Sequence, residues 1–136
     1  MQHKIEFFFK EFIRNESHTS EQLIDMVRGK IDFVLPDDYI EVIKNYNGGE
    51  GEIGANGWLC LFPIEELIEI NTSYKFLMSE IADYFMFGKD AADTGYAFHK
   101  KNQTIHSFGL MSDFETDPIE FCGNNFLEFL EYLYNQ

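Results

Sequence analysis

An α+β fold is predicted for this chain, with helices grouped around a mostly antiparallel, twisted sheet in a single domain. Three observations predict it. Apolar residues recur at helical spacing in five segments. From Tyr84 the pattern changes to short strands with a polar reversal at Lys100–Gln103, as in an antiparallel meander. The chain has 136 residues, 45% of them apolar and 17% aromatic, enough to close one core and little more.

The first segment, residues 1–18, reads as an amphipathic helix and a connector. Ile5, Phe8, Phe9, Phe12 and Ile13 stand at i, i+3, i+4, i+7 and i+8, one helical stripe. A second helix carries Leu23, Ile24 and Val27, with Thr19 or Ser20 as its cap and Gly29 near its end. In the third, Pro36 suits the first turn, Asp37 and Asp38 complement the helix dipole, and Gly48-Gly49 supplies the stop. Tyr39, Ile40, Val42, Ile43 and Tyr46 are its apolar contacts.

Glu50–Ile53 and Trp58–Phe62 read as strands joined by a tight turn at Ala55-Asn56-Gly57, where Asn-Gly favours positive backbone angles. Pro63 opens a fourth helix carrying Ile64, Leu67, Ile68 and Asn71, with Glu65, Glu66 and Glu69 facing outward. Strands follow at Tyr84–Phe87, Gly95–His99, Thr104–Phe108 and Ile119–Cys122. A final helix over Asn125–Tyr134 turns Phe126, Phe129, Leu130 and Leu133 inward, and Asn125 with Glu128 forms a capping-box pattern.

Charge restricts the function. Ten Lys and Arg oppose 24 Asp and Glu, a formal net charge of −14. Residues 1–30 are balanced, so the whole surplus lies downstream, where five Lys and no Arg meet 19 acids. Phosphate neutralisation is unavailable over such a surface, which argues against nucleic acid as a ligand. Cys60 and Cys122 stand apart without a metal-ligand pattern, so they read as unpaired small hydrophobes of a reducing, cytoplasmic compartment. No secretory leader and no membrane span is expected.

The chemistry-bearing residue types do not assemble into a catalytic pattern. His99 and His106 fall at opposite ends of a predicted hairpin and lack a nucleophile or a third ligand. The paired carboxylates lie in solvated runs, whereas a general acid needs an apolar pocket. Asp113–Asp117 lacks the spacing of a calcium loop. The turn glycines from Gly48 to Gly57 carry no Gly-Lys-Ser, and Glu50 and Glu52 would repel a phosphate. Neither a metal nor a cofactor is expected, and no enzyme. Trp58, the sole tryptophan, reads as core rather than as a binding anchor.

Leu35-Pro36-x-x-Tyr39, then Asn47-Gly48-Gly49, Trp58 and Leu61-Phe62-Pro63-Ile64-Glu65-Glu66-Leu67, resembles the SUKH superfamily, the domain of fungal cell-wall-synthesis regulators and many bacterial immunity proteins. Phe87-Gly88-x-Asp90 with Gly95-Tyr96-Ala97-Phe98 is similar to that family's "FGxDGGG…YAFD" stretch. Phe126-Leu127-Glu128-Phe129-Leu130 is similar to its closing "SFEEFL" helix. The likeness runs over about residues 20 to 134. Two departures stand out: Ala91-Ala92 with Asp93 replace the glycines, and His99 replaces the acid after "YAF".

The resemblance implies an immunity protein, non-catalytic, that neutralises a cognate bacterial toxin by protein–protein contact; the alternative is a regulatory or scaffold module that binds a host protein. A toxin acting on nucleic acid has a basic surface, which an acidic inhibitor would meet by electrostatic steering. Candidate contacts are Glu65, Glu66 and Glu69 on the fourth helix, Asp90 and Asp93 in the following turn, and Asp113, Glu115 and Asp117 in the late loop. Leu35, Pro36, Tyr39, Asn47, Gly48, Gly49, Trp58, Gly88, Tyr96 and Phe98 read as scaffold. A monomer or weak homodimer is expected, with the first helix as the available seam.

Overall fold

A computed structural model describes residues 2–15, 19–74, 82–111 and 118–136, and residues 2–4 by their backbone alone. Seven strands pair antiparallel in chain order: β1 (Glu11–Arg14), β2 (Gly49–Ile53), β3 (Gly57–Leu61), β4 (Tyr84–Lys89), β5 (Thr94–His99), β6 (Ile105–Gly109) and β7 (Glu120–Gly123). The helices among the described residues are α1 (Gln2–Phe8), α2 (Glu21–Arg28), α3 (Asp37–Asn45), α4 (Leu67–Ser73) and α5 (Phe126–Tyr134). The α+β class read from the sequence is the one observed.

Strand alternation divides the residues between two faces. Ile53, Leu59, Leu61, Phe85, Phe87, Phe98 and Ile105 turn to the inner face and share one core with Ile24 and Val27 of α2, Tyr39 and Ile43 of α3, and Phe126 and Phe129 of α5. Phe87 stacks on Phe98 with ring centroids 4.4 Å apart. On the outer face, Met86, Ala97 and Phe108 form a smaller cluster against Phe62, Tyr74, Tyr84, Leu110 and Ile119. That cluster covers β4–β6 only. Outside β1–β3, Glu11, Ile13, Glu50 and Glu52 stand exposed.

The amino-terminal helix is shorter than its apolar spacing suggests. It ends at Phe8, and Glu11–Arg14 pairs with β2 through Phe12↔Gly51 and Ile13↔Glu50. Ile5, Phe9 and Phe12 are buried, but Ile13 is 78% exposed, as strand alternation requires and a helical stripe does not. The seam expected on this helix is therefore largely spent on the chain's own core.

Other differences are local. The fourth helix begins with a 3-10 turn, Ile64–Glu66, before α4. In the β2–β3 hairpin the positive φ falls on Gly54 (78°) rather than on the Asn56-Gly57 pair. A Cβ at Gly54 would lie 2.5 Å from the Tyr134 carbonyl oxygen, so close approach to the end of α5 reinforces the need for glycine. Gly48 and Gly49, with φ of 92° and 134°, provide the left-handed exit from α3 expected of them. Of the two candidate caps for α2, Ser20 accepts from the Leu23 amide.

At α5 the capping box is displaced by one residue. Asn125 Oδ1 accepts from the Glu128 amide at 2.9 Å, while Glu128 Oε1 accepts from the Asn124 amide at 3.1 Å. A further cap comes from 88 residues away: Asp38 Oδ2 accepts from the Phe126 amide at 2.7 Å, and its Oδ1 accepts from the Tyr39 amide at 2.8 Å. Asp38 thus joins α3 to α5, a role beyond the dipole complement read from sequence. Asp38→Ala is expected to destabilise the protein by about 1–2 kcal/mol in urea unfolding, and Asp38→Asn, which keeps one acceptor, by less.

Candidate interaction surface

Of the acids named from the sequence, two are engaged within the fold. Asn47, 4% exposed, accepts from the Ile64 amide through Oδ1 at 2.8 Å and donates through Nδ2 to Glu65 Oε1 at 2.7 Å. Glu65 thereby braces the 3-10 turn. Asp90 Oδ1 accepts from the amides of Ala92 (2.8 Å) and Thr94 (3.0 Å), closing the β4–β5 turn. With Ala91-Ala92 in place of glycines, neither alanine has a positive φ; the Asp90 carboxylate organises the turn instead.

Glu66, Glu69 and Asp93 are exposed. Glu66 and Glu69 lie around α4 and Asp93 in the β4–β5 turn. Asp113, Glu115 and Asp117 lie outside the described residues.

The scaffold residues sit as packing requires. Leu35, Tyr39, Tyr96 and Phe98 are buried, and so are Pro36, Gly48, Gly49 and Gly88. Tyr96 donates its hydroxyl to the Trp58 carbonyl at 3.4 Å, and burial followed by the Asp90 charge pushes its pKa up. Trp58 differs from the core placement expected of it. It points outward, half-buried, and packs on neither apolar cluster. Its Nε1–H is buried without an acceptor.

Sequence reasoning placed Asn71 on the fourth helix but did not anticipate what its side chain bonds. From α4 its side chain donates to the Met86 carbonyl and accepts from the Met86 amide, both at 2.9 Å. It therefore continues the β4 ladder where β3, paired only at Cys60↔Lys89 and Leu61↔Gly88, gives out. Beside it a groove of about 510 Å³ opens between Lys30, Asp32, Ile68, Tyr84 and Lys100. Lys100 and Asp32 pair across it at 3.1 Å, and this hydrogen-bonded partner holds the Asp32 carboxyl below its usual range.

His99 and His106 do come together on the outer face, with ring centroids 6.1 Å apart and Tyr84 edge-on to both. The Thr104 hydroxyl donates to Asn102 Oδ1, so His106 Nε2 donates to Thr104 Oγ1 at 2.8 Å. His99 Nδ1 accepts from the Lys101 amide. Among the described residues no cluster of three His, Cys, Asp or Glu suited to a metal ion includes them. Cys60 and Cys122 are both free thiols.

This arrangement is a scaffold bearing acids on several surfaces. The SMI1 / KNR4 family (SUKH-1) matches residues 18–132. The chain belongs to this family. Comparison with curated proteins finds no match. In this SUKH-1 chain, α1 and β1 lie ahead of the matched span, so one edge strand of the sheet comes from outside it. Among the described residues no helix is long and apolar enough to cross a membrane.

Burial, and secondarily the nearby His99, lowers the His106 pKa below its ordinary 6.5. The unfolded chain then binds a proton at a pH where the folded one does not, so this residue removes stability as pH falls through 6.5. Urea midpoints at pH 8 and pH about 5.5 should therefore differ less in His106→Gln than in the wild type.

Proposed function

We propose that the protein is a bacterial, cytoplasmic immunity protein that binds a cognate protein toxin and blocks it by occupying its surface, without catalysis. The observation that carries this reading is the pairing of SUKH-1 membership with a net charge of −14. An acidic exterior steers the protein onto a basic partner, and the partner of that description is a toxin whose own target is nucleic acid. The alternative, a regulatory module using the first helix, has less to stand on, because Ile5 and Phe9 face the chain's own core.

Neighbouring toxin domains co-expressed with and without this chain test the reading: growth should be restored only with it, and the two should co-purify. The association rate should fall at least about tenfold between low salt and roughly 0.5 M salt, as steering requires. Absence of rescue with every domain tried would sink the immunity reading.

A further inference from the structure

Among the described residues, the outer face of β1–β3 is the widest part of the sheet that no apolar cluster covers, and its side chains fall into two rows. Register places Ile13, Glu50 and Cys60 side by side in one, and Glu11, Glu52 and Trp58 in the other. We propose that this face seats the protein partner, and that the occupant is a surface presenting Lys or Arg between apolar side chains. The inference deepens the protein-binding reading above and rests on it.

Three features make this face unlike an ordinary solvated one. Glu11 stands directly opposite Glu52, and like charges at that position weaken a sheet. No ion pair or side-chain hydrogen bond among the described residues engages Glu11, Glu50 or Glu52, whereas Glu65 and Asp90 are already committed to the fold. Register sets Cys60 between Glu50 and Lys89, and burial first, then the Glu50 charge, raises its thiol's pKa against the opposing pull of Lys89.

Next to these carboxylates are apolar groups that do nothing for the core. Ile13 is 78% exposed beside them. Trp58 packs on neither cluster and leaves its buried Nε1–H without an acceptor, a cost to stability. An exposed isoleucine alone is unremarkable. Here Ile13 on β1 and Trp58 on β3 stand on either side of Glu50 and Glu52 on β2, so the face carries apolar groups flanking a central pair of carboxylates, the mixture of anchor and charge that an interface uses. Charge complementarity selects a basic occupant over an acidic one or a second copy of this acidic chain.

Trp58 is the sole tryptophan, so its fluorescence reports on this face directly. The probe is an acetylated, amidated heptapeptide of alternating Lys and Val, titrated at low salt against the full chain. A saturable change in Trp58 emission is expected. The double variant Glu50→Lys/Glu52→Lys should weaken it at least about tenfold, Ile13→Ser several-fold, and the control Glu66→Lys/Glu69→Lys by less than about twofold. Glu52→Lys alone should be at least as stable as the wild type, since it turns repulsion from Glu11 into attraction, and should still bind more weakly.

An unchanged emission, equal binding of an Asp–Val peptide, or loss of binding only in the α4 control would overturn the proposal. Toxin rescue that survives Glu50→Lys/Glu52→Lys would sink the interface and leave the immunity reading intact. Failure of rescue by the wild type would sink that reading and leave the titration to decide the surface.

Discussion

Phe126 is held from two directions by consecutive residues, and the layering of the molecule depends on that grip. The Asp38 carboxylate takes its amide at 2.7 Å, while the Tyr39 ring meets its ring at a centroid distance of 5.8 Å. Tyr39 also contacts Phe98 at 4.9 Å and Phe87 at 5.9 Å, so one phenol joins α3, α5 and the two central strands. Its hydroxyl is buried with no hydrogen-bond partner, and burial drives its pKa strongly upward. Leaving that group unpaired costs about 1–3 kcal/mol, comparable to the 1.5–3 kcal/mol that burial of one Phe-sized side chain returns. The aromatic contacts outweigh the orphaned hydroxyl because they are made on three sides.

Two asparagines play the corresponding part where the sheet runs out of partners. β3 and β4 pair over only two residues, and beyond them the Asn71 amide presents a donor and an acceptor to Met86 as a strand would. Asn47 does the same for the Ile64 amide at the start of the 3-10 turn. Both satisfy backbone groups that would otherwise be costly to bury. Asn47 also ties a surface acid to the scaffold, since it holds Glu65. The carboxylates available to a partner are thus fewer than the sequence count suggests.

Elements with strong local signals were legible in the sequence. Pro36 and Gly48-Gly49 bound α3, Ser20 caps α2, and β4, β5 and β6 lie within a residue or two of their expected ends. The amino terminus was not, because Ile5, Phe9 and Phe12 satisfy both a helix stripe and a helix followed by a strand. Only the neighbour β2, some 38 residues away in the register, decides between them. Similarly, the hairpin carrying Trp58 is readable from its turn, but which face the indole takes depends on a register that a one-residue slip would invert. Asp38 and Asn71 act over 88 and 15 residues, and composition carries no trace of such partners. The acids of the candidate surface could be named from the sequence; which of them were already in use could not.

Separation of the two faces explains how the chain carries so much unbalanced charge. Self-repulsion from a net charge of −14 opposes compaction, and Glu11 opposite Glu52 adds a local instance of it. The inner face is built from rings and branched aliphatics packed against all five helices, so closure of the core does not rest on the outer side chains of β1–β3. Those positions are free to vary in charge without loss of the fold. Their first strand lies outside the span matched to SUKH-1, while the glycines and aromatics that hold the sheet together lie within it. Substitution on that face leaves in place the residues that close the core, because the two sets do not overlap.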